Sequence, residues 1–333
     1  MSVLYIDEYN KSLKGKIIWI ACREGILRDH LDHIISDIKF LNRQAIQTVF
    51  FHNISNRFAN QKLFRKLESK LFKSQVIRIP HENDFYQSVL NYHMPVDKIV
   101  FLERTYIVDQ QGNRINSMTT DKVRQRIHTY SDLISNDNLK RVMNLICTKI
   151  EAGEVERVHI LPAGKNKIKT ELFSIEGTGT LIANNFNEVF LKLETDDEID
   201  VIAGILKSYR GEGYLKPRTK LYIQDHKHNF YAAKIDHVIV GCAEKIVLSN
   251  DAVELGSLAV STKFRSQQIG LFIVTSFIKE IQKDNFKWLV SLTNNPKLQD
   301  LLCAFGFEQK TPDDFIHRQA CSPKTKMFIK KNE

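Results

Sequence analysis

The sequence predicts an α/β protein of two domains, a three-layer domain on a mostly parallel sheet followed by an α/β domain on a mixed sheet. The chain has 333 residues, of which 43% are hydrophobic and 26% charged. This composition is ordinary for a globular protein, and the length suits two domains of roughly 100–200 residues. The alternation of strands and helices in the first half changes after residue 171, and a polar, turn-rich segment follows at 183–188. We therefore assign domains to residues 1–184 and 185–333.

The first domain alternates apolar strands with amphipathic helices. Segment 29–41 is one such helix, because its apolar residues recur at the spacing of a single helix face. Strand, helix and strand in succession favour a parallel sheet with helices on both faces. The predicted strands are 16–22, 46–52, 76–80, 98–102 and 157–161, and the predicted helices are 29–41, 61–71 and 138–151.

The second domain begins with a strand, a helix that opens at Thr195, and a hairpin turning at Asp236 and His237. A strand ending at Val260, a loop, a helix from Leu271, another strand and a short helix follow. The basic tail could serve phosphate groups, an acidic substrate or nucleic acid, and the simpler interpretation is a solvated edge strand. The predicted ranges are strands 189–193, 230–235, 238–243, 254–260 and 286–292, a helix end at 305–307, and the tail 324–331.

The loop from Arg265 to Gly270 is the most informative segment. An apolar strand leads into Arg-Ser-Gln-Gln-Ile-Gly, and an apolar helix follows. This arrangement points unpaired backbone N–H groups and the positive end of a helix dipole at one place, which suits a phosphate. The loop resembles the Arg/Gln-x-x-Gly-x-Gly/Ala loop that binds the CoA pyrophosphate in GNAT acetyltransferases, except that Gln268 replaces the first glycine. The order of elements, with Asn294 and a final aromatic-Gly-Phe, also resembles that superfamily.

A second resemblance covers most of the chain. Residues 171–180 (Glu-Leu-Phe-Ser-Ile-Glu-Gly-Thr-Gly-Thr) are similar to the segment that closes the amino-acid-kinase domain of N-acetylglutamate synthases. Residues 215–220 resemble the Leu-Val-x-Arg-Ser-Arg of their acetyltransferase domain. The resemblance implies a shortened amino-acid-kinase-like domain fused to a GNAT domain. Side chains replace the family's phosphate-binding glycines at 21–25 and 52–56, so we expect no kinase activity.

The resemblance implies transfer of an acetyl group from acetyl-CoA to the α-amine of L-glutamate, the first step of arginine biosynthesis, by direct attack on the thioester. Glu254 is the implied general base, and the alternative is a solvent-facing glutamate before a strand. An oxyanion donor is expected among the backbone N–H groups of 258–260. Gln268 fits the loop if its φ is negative. The implied acetyl-CoA-binding residues are Leu258, Ala259, Val260, Arg265, Ser266, Gln267, Gln268, Ile269, Gly270, Leu271 and Asn294.

Arg218 is the candidate clamp for a glutamate carboxylate, because a guanidinium binds a carboxylate through two parallel hydrogen bonds. Lys220 and Lys216 are supporting candidates, and Ser257 stands where the family has a cysteine lining the same pocket. Lys324 and Thr325 replace a family Arg-Arg-Ser-Lys segment with one arginine lost. Tyr222 and solvent remain as alternatives for protonating the CoA thiolate.

The partners implied are small molecules, with arginine as a possible effector and a homo-oligomer formed through the kinase-like domain. Gly177 and Gly179 lie in the region that binds arginine in the family, although a tight turn explains them equally well. The five cysteines are widely spaced and no His-Glu-x-x-His occurs, so we expect no metal site. No signal or membrane segment is evident, which favours the cytoplasm. The net charge of +9 has no nucleic-acid motif behind it.

Two alternatives remain open. The lost arginine favours a GNAT enzyme of this family that acts on another amine. The basic charge and Gln268 favour a non-catalytic regulatory or binding homologue.

Overall fold

A computed structural model describes residues 2–56, 60–80, 85–109, 111–130, 137–184, 188–265, 267–311 and 324–332. The chain divides into two compact units, residues 1–186 and residues 187–333. We call these the first and the second unit.

The first unit is built on a seven-stranded sheet in the order β3-β2-β1-β4-β6-β7-β5. All recorded pairings are parallel except that between β6 and β7. Its strands are β1 Ile17–Cys22, β2 Gln47–His52, β3 Gln75–Arg78, β4 Lys98–Glu103, β5 Ser117–Met118, β6 Arg157–Pro162 and β7 Thr180–Ala183. Its helices are α1 Ile6–Leu13, α2 Glu24–Arg43, α3 Gln61–Lys70, α4 Phe85–Leu90, α5 Thr120–Tyr130, α6 Asp137–Glu151 and α7 Lys167–Phe173.

Helices cover both faces of this sheet because its central strands are apolar on both sides. In β1, Trp19 and Ala21 join a buried cluster with side chains from α4, α5 and α6. The alternate residues Ile18 and Ile20 are fully buried on the opposite face. Strands buried on both faces are typical of parallel sheets between helical layers, so the predicted three layers are present.

Two predictions for the first unit need correction. The helix expected at 29–41 runs from Glu24 to Arg43, because Ile26 and Leu27 extend its buried stripe toward β1. Four helices and two short strands were not predicted. Most of them are too short to show a hydrophobic period, and α5 has too few apolar residues to show one. The missed elements are α1, α4, α5, α7, β5 and β7.

The second unit has a seven-stranded mixed sheet in the order β13-β14-β12-β11-β10-β9-β8. Among the described strands of this sheet, β11 and β12 are the only pair in parallel. The elements in chain order are β8 Glu188–Lys192, α8 Asp196–Gly211, α9 Lys220–Asp225, β9 Phe230–Ile235, β10 Val238–Val247, β11 Ala252–Val260, α10 Ile269–Ile281, β12 Trp288–Thr293, α11 Pro296–Ala304, β13 Glu308–Lys310 and β14 Lys326–Lys331.

Local sequence explains several boundaries in this unit. Thr195 and Glu198 form a capping box at the start of α8. Asp236 and His237 connect β9 to β10 with φ values of 48° and 66°, as a two-residue hairpin turn requires. The predicted edge position of the tail is wrong, because β14 pairs with both β12 and β13.

Strands β11 and β12 pair at their starts and then separate, and this opens the sheet. Their parallel pairing extends only as far as Glu254 and Val290, while β12 continues beside β14 to Thr293. On the other edge of β11, Ser257 and Leu258 lie opposite the single residue Ala243, which makes a β-bulge. The bulge and the separation produce a cleft at the carboxyl end of β11.

No helix in the described part of the chain is both long enough and apolar enough to cross a bilayer.

Candidate active site

The cleft in the second unit has a volume of about 740 Å³. Its wall is formed by the end of α8, the segment 213–218, the second half of β11, the start of α10 and the end of β12 with the start of α11. This volume is within the range of small-molecule sites. Three of the predicted chemical groups, Glu254, Arg218 and Gly270, lie on this wall.

One end of the cleft presents the amino terminus of α10. The helix begins at Ile269, has no acidic residue in its first turn, and its N-cap residue Gln268 makes no side-chain capping bond. Gly270 lines the cleft, and a Cβ there would contact only Leu301 Cδ2, at 3.6 Å. Among the described residues, no side chain accepts from the first backbone N–H groups of the helix, so these groups and the positive dipole end are available to an anion.

Gln268 adopts a left-handed conformation, with φ 59° and ψ 19°. The condition for a good fit, a negative φ, is therefore not met. The family glycine at this position has a physical reason, since a left-handed backbone costs a residue with a Cβ roughly 1–2 kcal/mol. The chain keeps the loop geometry while lacking the residue that suits it.

Arg265 is held next to the cleft by a tyrosine and a glutamate that sequence reasoning missed. Its guanidinium carbon lies 4.5 Å from the ring centroid of Tyr209, and its Nη2 donates to Glu212 Oε1 at 2.6 Å. Tyr209 Oη also accepts from the backbone N–H of Val260 at 3.2 Å. Burial raises the pKa of the Tyr209 hydroxyl, so this group stays protonated. The signal in the sequence was faint, because Tyr209 lies in the last turn of the helix 196–211 and Glu212 is its C-cap residue.

Glu254 lies inside β11, opposite Val290, and is 4% exposed. The alternative of a solvent-facing glutamate before a strand is therefore wrong. Its position is the last paired residue before β11 and β12 separate, and it lines the cleft. A carboxylate here meets whatever enters the cleft.

Arg218 lines the cleft within a compact polar cluster. Its Nε donates to Glu244 Oε2 at 3.0 Å and lies 3.3 Å from Ser257 Oγ. Glu244 also accepts from Ser257 Oγ at 2.5 Å and from Tyr222 Oη at 2.6 Å. The guanidinium carbon of Arg218 lies 4.5 Å from the ring centroid of Tyr222. Ser257 reaches this cluster because the bulge gives it a φ of 47°.

The other predicted site residues divide into two groups. Leu258, Val260, Asn294, Thr325 and Lys216 line the cleft together with the residues above. Asn294 Nδ2 donates to the Gly213 carbonyl at 3.0 Å. The residues that the structure does not bring to the cleft wall are Ala259, Gln267, Gln268, Ile269, Leu271, Lys220, Tyr222 and Lys324.

The predicted site residues that lie off the cleft wall are paired in the sheet, buried, ion-paired or exposed. Ala259 pairs with Cys242 in the sheet, and Gln267 and Ile269 are buried. Leu271 is 48% exposed. Lys220 pairs with Asp200 at 2.6 Å. Ser266 lies outside the described residues.

Within the part of the chain that the structure describes, no cluster of three or more histidine, cysteine or acidic side chains is arranged to hold a metal ion.

Comparison with known proteins identifies the second unit. Residues 199–307 match the acetyltransferase (GNAT) family. The amino-acid acetyltransferase of Neisseria meningitidis serogroup B is 28% identical over 179 residues, which are 53% of this chain and 40% of that protein. The amino-acid acetyltransferase of Vibrio cholerae is 21% identical over 210 residues, 61% of this chain and 47% of the relative. The chain therefore spans less than half the length of these curated relatives.

Among solved structures, N-acetylglutamate synthase from Neisseria gonorrhoeae, complexed with coenzyme A and L-arginine, is similar over 98% of this chain and 97% of its own. The TM-score is 0.52 at 15% sequence identity, and a likeness at that identity concerns the fold. It confirms the predicted fold class, an amino-acid-kinase-like α/β domain followed by an acetyltransferase domain with a mixed sheet. Residues 199–307 therefore form a GNAT acetyltransferase domain, in a chain whose fold resembles that of N-acetylglutamate synthase.

Proposed function

We propose that this chain is an amino-acid N-acetyltransferase that transfers an acetyl group from acetyl-CoA to the α-amine of L-glutamate. The observation that carries the proposal is the convergence of Glu254, Arg218 and the open amino terminus of α10 on one cleft of a GNAT domain. The names of the curated relatives support an amino-acid acceptor. The coenzyme A bound to the solved relative supports acetyl-CoA as the donor.

The CoA pyrophosphate binds at the start of α10 in this proposal. Gly270 lets the phosphate oxygens approach the backbone N–H groups, and the helix dipole favours their negative charge. Arg265 lies beside this site and adds positive charge. Asn294, on the opposite wall, is held by its bond to the Gly213 carbonyl and borders the path of the pantetheine chain.

The reaction is a direct acyl transfer. Glu254 accepts a proton from the glutamate ammonium, and the neutral amine attacks the thioester carbonyl carbon. The new C–N bond forms, the carbonyl oxygen becomes an oxyanion, and the C–S bond then breaks. The attacking nitrogen still carries one proton more than the amide product, and it gives that proton through water to the departing thiolate, while the first proton leaves Glu254 for solvent. Tyr222 is not used, since its hydroxyl donates to Glu244 behind the cleft wall.

The backbone N–H of Leu258 is the proposed oxyanion donor. Leu258 lies in the bulge, away from the regular pairing of β10 and β11, and lines the cleft. Val260 is a weaker candidate because its N–H already donates to Tyr209 Oη. A fixed donor aimed at the developing charge stabilises the transition state without reorganisation.

Glutamate recognition is assigned to Arg218 for one carboxylate, and to Lys216 with Thr325 for the other. All three line the cleft. Lys324 is next to Thr325 but off the cleft wall, so the predicted second clamp is reduced to one hydroxyl and Lys216. This reduction favours a second candidate function, acetylation of an amino acid with a single carboxylate.

We further propose that the first unit is not a kinase. The Glu24 carboxylate accepts from the Ser55 backbone N–H at 2.7 Å and from Asn60 Nδ2 at 2.9 Å. It lies at the turn after β1, where the family's phosphate-binding glycines are missing, and its charge repels a phosphate. Regulation by arginine is a proposal that the L-arginine bound to the solved relative supports. Assembly through this unit stays a proposal that rests on the resemblance alone.

The experiment is a CoA-release assay with acetyl-CoA and a panel of L-glutamate, L-aspartate, L-glutamine, L-lysine and a lysine peptide, with and without arginine. We expect the highest kcat/KM with L-glutamate. A preference for a monocarboxylate favours the second candidate. If no L-amino acid is acetylated while calorimetry detects acetyl-CoA binding, the proposed function is refuted. If acetyl-CoA itself fails to bind, the alternative of a non-catalytic regulatory or binding homologue is favoured.

A further inference from the structure

We infer that Glu244 is a positioning residue for substrate specificity, which holds the Arg218 fork ready for an acceptor carboxylate. The inference rests on the proposed function and adds a residue to it. Glu244 lies in β10 beside the bulge, its side chain is 1% exposed, and it is not on the cleft wall. Glu244 therefore acts on a substrate through the cleft residues that it bonds, of which Arg218 carries the charge that suits a carboxylate.

Glu244 is a buried carboxylate with three donors. It accepts from Arg218 Nε at 3.0 Å and from Ser257 Oγ at 2.5 Å through Oε2, and from Tyr222 Oη at 2.6 Å through Oε1. A carboxylate is removed from water at high cost unless its charge is paired and its oxygens are hydrogen-bonded. Here both conditions are met, because Arg218 pairs with the carboxylate and both of its oxygens accept hydrogen bonds, so Glu244 fixes its three partners.

Arg218 is fixed at its inner edge and open at its outer edge. The bonds recorded for it among the described residues use Nε only, to Glu244 and Ser257. Its terminal Nη1 and Nη2 make no hydrogen bond to any described residue. The stack on Tyr222, with 4.5 Å between the guanidinium carbon and the ring centroid, fixes the plane of the group. The side chain is 15% exposed and lines the cleft.

This arrangement suits a carboxylate better than any other acceptor group. Two terminal nitrogens held in one plane match the two oxygens of a carboxylate, and less conformational entropy is lost because the fork is already ordered. Glu244 lowers the net positive charge of the cluster, so it does not strengthen the electrostatic attraction of a substrate carboxylate. It provides orientation.

The test replaces Glu244 with glutamine, which keeps size and removes the charge. We expect Glu244→Gln to raise the KM for L-glutamate by roughly 10- to 100-fold, the loss of one charged hydrogen-bonded contact. The KM for acetyl-CoA should stay within about twofold of wild type, because α10 is unaffected. An unchanged KM for glutamate would overturn the inference. A lower KM would also overturn it, because it would mean that Glu244 only weakens the positive charge of Arg218.

A matched control is Glu198→Gln, which alters another buried and ion-paired carboxylate of the same unit. Glu198 pairs with Lys234 and caps α8, away from the cleft wall. We expect it to lower thermal stability without changing the KM for glutamate. A glutamate KM that rises equally in both variants would overturn the inference in favour of general destabilisation.

A double-mutant cycle with Arg218→Lys separates positioning from a direct role. If Glu244 acts through Arg218, the Glu244→Gln effect on the glutamate KM should fall below about twofold in the Arg218→Lys background. Additive effects would contradict the inference. If Glu244→Gln does not fold, Tyr222→Phe removes one hydrogen bond to Glu244 and keeps the ring stack on Arg218. The expected rise in the KM for glutamate is then about 3- to 10-fold. An unchanged KM for glutamate in that variant would overturn the inference.

Failure of the proposed function has a different outcome. A wild-type enzyme that acetylates amines without a carboxylate as readily as glutamate refutes the proposed acceptor. A wild-type enzyme that prefers glutamate, with unchanged kinetics in Glu244→Gln, refutes only the role of Glu244.

Discussion

Each unit contains a turn that leads from a strand into a helix, a position that suits phosphate binding. The two turns differ in the side chains that occupy them. After β1, the first residue of α2 is Glu24, and its carboxylate binds the Ser55 N–H and the Asn60 amide. Asn53 Oδ1 in turn accepts from the Glu24 N–H at 2.6 Å. At α10, no acidic side chain lies in the first turn and the cap residue makes no side-chain capping bond.

The comparison teaches that backbone geometry alone does not make a phosphate site. In the first unit, a side-chain carboxylate and an amide oxygen already satisfy the groups that would bind an anion. In the second unit, the helix amino terminus opens into a cleft lined by Gly270. A helix dipole is equally present in both, so the side chains at each turn make the difference, and this supports the proposed CoA site at α10.

The largest expected effect on kcat comes from Glu254, the carboxylate that lines the cleft of the second unit. Replacing Glu254 with glutamine should reduce kcat by about 10²- to 10⁴-fold, because a general base is lost. Glutamine keeps the shape of the side chain, so acetyl-CoA affinity measured by calorimetry should remain near that of wild type. Steady-state CoA release measures the change in kcat.

The matched control for this variant is Glu24→Gln, which removes a partly buried carboxylate from the turn of the first unit. We expect kcat to remain unchanged and thermal stability to fall. If Glu24→Gln lowered kcat as much as Glu254→Gln, the division between a supporting first unit and a chemical second unit would be wrong.

The sequence predicted the fold well where elements are long and periodic, and this covers the central strands of both sheets. It also identified Glu254, Arg218 and Gly270, which the structure brings to one cleft. Glu244 was missed because it follows an apolar strand and reads as a surface residue at the strand end. Only the bulge and the pairing of β9, β10 and β11 make it buried, and register of this kind is not visible in a single sequence.

The sequence left the backbone conformation of Gln268 open for a related reason. A backbone φ depends on how the loop is closed by its neighbours, and the residue type alone favours a negative value. The helix start at Ile269 requires the chain to reverse at Gln268, and it does so at the cost of a left-handed residue. Local propensity was overridden by the geometry of the whole loop.

The next effect concerns Gly179 in the first unit and tests whether its glycines are structural. A Cβ at Gly179 would lie 2.4 Å from the Ile160 carbonyl oxygen and 2.3 Å from Leu161 Cδ2. The Glu171 carboxylate already accepts from the Gly179 N–H at 3.0 Å. Gly179→Ala should therefore destabilise the first unit by roughly 1–3 kcal/mol through overpacking, measured by urea unfolding.

Gly211→Ala is the control for this change, because a Cβ there meets no atom within 4 Å and the residue ends a helix. Its free energy of unfolding should stay within about 0.5 kcal/mol of wild type. Wild-type stability in Gly179→Ala would contradict the tight-turn explanation and favour a ligand-binding reason for this glycine.

The smallest effect tests the turn of the second unit itself. Gln268→Gly should raise the free energy of unfolding by about 1 kcal/mol, because glycine adopts a left-handed backbone without a Cβ clash. Gln268→Ala keeps the Cβ and should give no gain. If both variants were stabilised equally, the Gln268 side chain and not the backbone would be the source of strain. If only glycine helps, the second unit holds its helix amino terminus in place at a measurable cost in stability, whereas the first unit fills the corresponding turn with Glu24.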